Sequence, residues 1–284
     1  MPDELMRGTG LLVIEVRNSN PNGDPDQESD PRQRAFDERG LISPVSFKRK
    51  LRDLVADKEG PVWQSLDARL SLTGSGLGFE ILETRGRDRK KIDQELTEGT
   101  FAGKYWDGRV FGNTFLEEGR SEFLRAGVAQ FGLGVSIAPI VIERMTNTSK
   151  AGVQEGKDRG MAPLAYRVVQ HAVYSMPFFV NPTAAPKTGC RKIDIDLLLA
   201  LLPHAYQHTA SYIRPFVEVR QAWYIEHKSS LGSCPDGTLI DALTPKKADP
   251  DQPSTSWDNY QPVAALPTEL AGKVGAVRNL VEEM

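Results

Sequence analysis

The order in which strand-like and helix-like apolar patterns alternate along this chain of 284 residues is what most limits its fold. LLVIEV, Leu11 to Val16, is a β-prone apolar run and reads as a buried strand. A polar loop follows to about Leu41, and then ISPVSFKRKLRDLVADK turns helical: Phe47, Leu51, Leu54 and Val55 recur on one face. Ser43 is placed to cap that helix, and Pro44 suits its first position. Strand patterns return at Gly134 to Thr146 and at Tyr166 to Val180. Asp194 to Tyr206 reads as a helix interrupted at Pro203, Val217 to Lys228 as a final strand, and Thr268 to Met284 as a terminal helix.

Without its insertions the order is strand, helix, strand, strand, helix, strand, the split βαβ arrangement of ferredoxin-like and RRM-type α+β folds. The chain divides accordingly. Residues 1–57 form the first half of this unit and 58–133 an insertion containing glycine-rich TGSGLG, basic RGRDRKK and aromatic KYWDGRVFGNTF. Residues 134–243 complete the unit with an excursion at about 143–167, and 244–284 make a C-terminal loop and helix. No apolar run approaches the roughly 20 residues that span a bilayer, and the first ten residues lack the pattern of a signal peptide, so the expected location is the cytoplasm. Cys190 and Cys234 are the only cysteines, too few for a disulfide framework or a CxxC metal site. A net charge of −3 provides no global attraction for nucleic acid, which would have to be held by local cations and shape.

The loop RNSNPNGDPDQ, Arg17 to Gln27, begins like a calcium loop, with Asn18, Asn20, Asn22 and Gly23 at ligand and turn places. Ser29 at the twelfth place cannot close such a site. After the loop, the free N–H groups and positive end of the helix capped by Ser43 suit an anion, and Ser46 in the first turn adds a hydroxyl. Lys48 and Arg52 stand four apart and are assigned to the face away from Phe47 and Leu51, where both would reach a phosphate backbone, with Arg49 and Lys50 flanking. The bland alternative for KRK is a solvated helix face.

The loop Asn18 to Asp26, the segment GLISPVSFKRKLRD (Gly40 to Asp53) and the D-x-R-x-F-G motif of Asp107 to Gly112 resemble the backbone subunits of type I CRISPR surveillance complexes. These form the Cas-seven family of the RAMP superfamily, and the branch of subtypes B and C is the most similar. The resemblance implies an RRM-like palm with an inserted finger region and a β-hairpin thumb. It also implies a non-catalytic subunit without a cofactor that polymerises along a guide RNA (crRNA) and presents it to a target DNA strand. Its partners would be copies of itself, a large subunit and a subunit that binds the crRNA 5′ handle, with no membrane involved.

The superfamily pattern S-x-K-x-x-x-R maps onto Ser46, Lys48 and Arg52, and the Asn18, Asn20 and Asn22 loop would lie beside the guide. Arg109 matches the D-x-R motif and stands four residues before Asn113, so both are assigned to RNA. In the thumb, Met145 and Met161 are candidate wedges that replace lost base stacking, and Arg144, Lys150, Lys157, Arg159 and Arg167 are candidate phosphate holders. Related type III subunits cut target RNA through an Asp in the corresponding loop, so a metal-dependent ribonuclease using Asp24 and Asp26 is the rival reading. Arg85, Arg87, Arg89, Lys90 and Lys91 are a second basic run, equally readable as a solvated loop. Tyr105, Trp106, Phe111 and Phe115 are expected in the core, and His171 as a packed polar residue. His204 and His208 have helical spacing, but Ala205 and Pro203 argue against a zinc site.

Overall fold

A computed structural model describes residues 4–84, 88–113, 125–149 and 162–284 of the chain. Its centre is an antiparallel sheet built on β1 (Gly8–Ser19), the strand announced by LLVIEV. The further strands of this sheet are β2 (Arg39–Ile42), β3 (Ala129–Phe131), β4 (Gly134–Pro139), β5 (Ile142–Ser149), β6 (Ala162–Val180), β7 (Val217–Glu226) and β8 (Ala276–Asn279). The spatial order is β8-β7-β1-β6-β4-β2, with β3 and β5 also pairing with β6. Strand β1 runs against β6 from Gly8↔Val180 to Ser19↔Val169, and against β7 from Gly8↔Glu226 to Val16↔Val217. The segment β7-β1-β6-β4 is therefore the four-stranded order of a split βαβ unit, with one helical crossover after β1 and one after β6.

Because successive side chains of a strand point to opposite faces, the unbroken apolar run of β1 needs cover on both. Leu12, Ile14 and Val16 pack under α1 (Pro44–Ala56), α2 (Pro61–Leu70) and α5 (Lys192–Leu201), against Phe47, Leu66 and Leu198. Leu11 and Val13 meet Leu239 and Leu243 of α6 (Asp236–Leu243) together with Tyr260 and Leu266. The insertion contributes α3 (Arg89–Thr97) and α4 (Trp106–Phe111), and its Phe79, Trp106 and Val110 join the first of these cores.

Helix α1 begins as expected: the Ser46 N–H donates to Ser43 Oγ, and Pro44 opens the helix. Helix α5 ends at Leu201 and tightens into a 3₁₀ turn, Leu202–His204, which contains Pro203. The C-terminal expectation is corrected. Thr268 to Met284 is not a helix: one turn, Thr268–Ala271, gives way to β8 at the sheet edge and a closing 3₁₀ turn, Leu280–Glu283. Gly272 and Gly275 weaken helix propagation, and the β-branched Val274 and Val277 favour the extended chain. Val217 to Glu226 is accordingly not the last strand, and α6 is a helix that periodicity did not reveal.

On the α6 side of the sheet β1 carries a buried carboxylate, Glu15. It accepts from Arg17 Nε at 2.7 Å and from His171 Nε2 at 3.1 Å. Ser254 lies 2.8 Å from His171 Nδ1, and the Tyr260 hydroxyl donates to Ser254 Oγ at 2.9 Å. Since Glu15 only accepts, Nε2 carries the proton and Nδ1 accepts, which is the neutral imidazole. Burial pushes His171 below its ordinary value, and Glu15 only partly offsets this. For Glu15 burial pushes the pKa up, but the hydrogen bonds from Arg17 and His171 and the charges of Arg17 and Arg220 outweigh it, leaving the carboxyl below its usual range.

Burial also lowers His204 and His227. Between each lowered value and the ordinary 6.5 the unfolded chain holds more protons than the folded one, so stability rises with pH there. Glu15 adds a loss of stability as pH falls below its ordinary 4.5, in the same direction. The thermal midpoint is therefore expected to climb as pH rises on the acid side of the ordinary 6.5. His171→Gln should flatten that climb, and a pH-independent midpoint over this range would contradict the neutral, buried assignment of these histidines.

Candidate nucleic-acid interface

Three of the residues singled out in the sequence line one cleft. Asn20 at the end of β1, Arg144 of β5 and Arg167 of β6 meet around an opening of about 280 Å³, with Glu28, Ser29, Asp30, Tyr166 and Ile213 completing the wall. Strand pairing sets Arg144 directly opposite Arg167 and Met145 opposite Tyr166. Like charges facing each other across a ladder repel. Asp30 relieves one of them through an ion pair with Arg167, while the exposed Arg144 has no ion-pair partner among the described residues. The Asn20 amide donates to Ser29 O at 2.7 Å, and its buried Oδ1 has no hydrogen-bond partner among the described residues. An acceptor in that state suits a ribose 2′-hydroxyl.

The Asn loop serves first to place α1. Asn22 is buried and its Oδ1 accepts the Ser43 N–H at 2.7 Å, fixing the residue that caps the helix. Asn18 is exposed with φ at 42°, a left-handed conformation that asparagine tolerates better than most side chains. Asp24 caps the short turn Pro25–Gln27 by accepting from the Asp26 N–H, and it lies 3.5 Å from Arg32. Asp26 is exposed.

Helix α1 presents its cations in three directions, as a rotation of about 100° per residue requires. Arg49 points outward, paired with Asp53 at 2.8 Å and donating to Glu83 O. Lys50 lies on one flank, half-buried, its ammonium disfavoured by burial and then by Arg214. Lys48 and Arg52 share the other flank over the Phe111 ring, each 5.1 Å from its centroid. Ser46 is half-buried in the first turn.

Two assignments are corrected by burial. Helical spacing assigns Arg52 to an outward face, but its side chain is 7% exposed and donates through Nε to Asp107 Oδ2 at 2.8 Å, with Glu83 at 2.9 Å on its other arm. The apolar face of α1 is broad enough that position 52 sits at its border. Arg109, assigned to RNA with Asn113, is 1% exposed. Its guanidinium makes bonds of 3.0 and 2.8 Å to the Asp194 carboxylate and bonds of 2.8 Å to the carbonyls of Ala102 and Gly78. The D-x-R motif is thus an internal brace: Asp107 also accepts the N–H groups of Leu82 and Glu83, and Arg109 ties α4 to the start of α5. The Asn113 side chain, Lys150, Lys157, Arg159 and Met161 lie outside the described residues, as do Phe115, Arg85 and Arg87.

Lys48 remains. It is half-buried, and burial followed by the charge of Arg52 pushes its pKa down, with Glu83 opposing. Among the described residues it has no carboxylate within ion-pair distance. Among those residues no group of three His, Cys, Asp or Glu is placed to hold a metal, and no helix is long and apolar enough to cross a membrane. Sequence reasoning missed Glu83, Tyr166, Ile213 and Arg214. Only the D-x-R motif signalled Asp107, and its partners are far along the chain.

This sheet, with helices packed on both of its faces, places the chain in the α+β class. The chain is a member of one family within it: the model for CRISPR-associated protein Cas7 matches residues 6–264, so the protein belongs to the Cas7 family. Two similar solved chains are from structures titled "CRISPR RNA-guided surveillance complex, pre-nicking" and "CRISPR RNA-guided surveillance complex". They are 13% and 14% identical, with TM-scores of 0.47 and 0.43. The first pair covers 77% of each chain, the second 77% of this chain and 68% of that one. A chain of a type III-B Cmr-beta complex bound to cognate target RNA is 13% identical with a TM-score of 0.39, over 78% of this chain and 61% of its own. None reaches 0.5, so membership rests on the family match. Among curated proteins there is no match.

The brace and the free ammonium should separate by mutation. Arg109→Ala leaves the Asp194 carboxylate buried and uncompensated and should cost about 3–5 kcal/mol. Lys48→Ala should change stability by less than about 1 kcal/mol. Urea denaturation midpoints of the two variants check this, and equal losses would contradict the division into structural and ligand-facing cations.

Proposed function

We propose that this Cas7-family chain is a non-catalytic backbone subunit that binds guide RNA, polymerises along it, and holds it for pairing with a target DNA strand. In this reading its partners are other copies of the chain, a large subunit and a subunit for the crRNA 5′ handle, and its place is the cytoplasm. The observation that carries the reading is Lys48: a half-buried ammonium beside a second cation, with no carboxylate of its own among the described residues, is relieved by an incoming phosphate. The Ser43 cap, the Ser46 hydroxyl and the positive end of α1 lie within the first turn and favour the same ligand.

The cleft of Asn20, Arg144 and Arg167 is a second contact at the base of the β5–β6 hairpin, with Met145 beside it; Arg159 and Met161, outside the described residues, stay in the proposal as candidates for RNA contact. Phosphate and ribose contacts leave base edges free, so the sequence specificity belongs to the RNA.

Lys48→Ala and Arg144→Ala should each weaken binding of a guide-RNA oligonucleotide and reduce the salt slope by about 0.7, the value for one phosphate contact on a single strand. Unchanged affinity and slope in both variants would overturn the reading. The rival, a metal-dependent ribonuclease, is supported by the pair of acids Asp24 and Asp26. It predicts magnesium-dependent cuts in RNA complementary to the guide that disappear in Asp24→Ala or Asp26→Ala, whereas the backbone reading predicts intact RNA.

A further inference from the structure

Arg52 is held by two carboxylates of different character. Asp107, with its side chain 2% exposed, meets Nε at 2.8 Å and is fixed by the N–H groups of Leu82 and Glu83 as well. Glu83 meets the other arm at 2.9 Å, is 54% exposed, and among the described residues its carboxylate makes no other ion pair. The first acid cannot leave without orphaning three donors. The second can swing into water at the loss of one half-exposed contact.

Charges on this flank cancel: Lys48 and Arg52 are positive, Asp107 and Glu83 negative. With Glu83 in place an approaching phosphate finds no surplus. With Glu83 swung out it finds one positive charge and a guanidinium arm, whose planar fork suits phosphate and carboxylate oxygens equally. The Phe111 ring beneath both cations keeps Lys48 and Arg52 side by side for a single anion.

We propose that Glu83 is a built-in counter-anion that competes with RNA phosphate for Arg52 and so sets how tightly the α1 flank holds RNA, an inference that rests on the guide-RNA reading. The acid opposes any phosphate, whatever the base sequence. It therefore raises the number of other contacts an RNA must make before it is retained, and short or poorly fitted RNA is released first.

The test is a salt series of fluorescence anisotropy titrations with one single-stranded guide-RNA oligonucleotide, on the wild type, Glu83→Gln and Lys48→Ala. Glu83→Gln keeps the size of the side chain and an oxygen for Arg52 while removing the charge. It should bind about two- to fivefold tighter at low salt, the range of a half-exposed ion pair, with a salt slope steeper by up to about 0.7. An RNA-free readout covers the case of a weakened fold: by NMR the Lys48 ammonium should titrate lower in Glu83→Gln than in the wild type. Glu83→Gln that binds no tighter, while Lys48→Ala binds more weakly, overturns the counter-anion and leaves the guide-RNA reading standing. A Lys48 titration unmoved by Glu83→Gln likewise overturns it. Lys48→Ala that matches the wild type in affinity and slope overturns both.

Discussion

The cationic flank of α1 depends on one buried carboxylate. Asp107 receives Arg52, 55 positions earlier in the sequence, and two backbone N–H groups, and in doing so it joins α1 to residues 82–83. Two residues later Arg109 anchors the same short helix to Asp194 at the start of α5. Neither ion pair is a gain in itself, since taking such charges out of water costs nearly what their attraction returns. Their value is geometric: each fixes a helix at one distance and angle, because leaving either carboxylate unpaired inside the protein is expensive. Lys48, one turn before Arg52, inherits its position from this brace.

Much of the frame was legible in the sequence for reasons that are local. A strand buried on both faces shows as an unbroken apolar run, a capped helix start shows as Ser-Pro, and a proline shows where a helix must tighten. All three appear at the expected places in β1, α1 and at Pro203. The failures are also physical. Spacing puts Arg52 on a helix face, but only the fold brings Asp107 to it, and Arg109 finds its acid 85 residues away. Helix α6 has only eight residues, close to prolines on either side, too short for a periodic signal. The last seventeen residues hold enough apolar spacing to suggest a helix, but their glycines and valines favour an edge strand.

The candidate site shows the same division. The cleft beside the hairpin collects Asn20, Arg144 and Arg167, three residues drawn from the two ends of a long intervening sequence, because β1 and β5 both pair with β6. Chemistry nominated them singly and topology assembled them. The interface that results is close to electrically neutral, as is the whole chain at −3. On the proposed reading, attraction for nucleic acid arises at single points: an ammonium and a buried amide oxygen that have no partner among the described residues, and an arginine facing another arginine. Such a surface favours a ligand that fits all of these points together over any polyanion at large.

A backbone subunit must also count: the number of chains bound has to follow the length of the RNA. Sedimentation velocity of the protein mixed with guide RNAs of increasing length measures this directly. A backbone subunit gives a complex whose mass rises in equal steps of one chain as the RNA lengthens. One chain per RNA at every length, or protein that sediments alone, would contradict it.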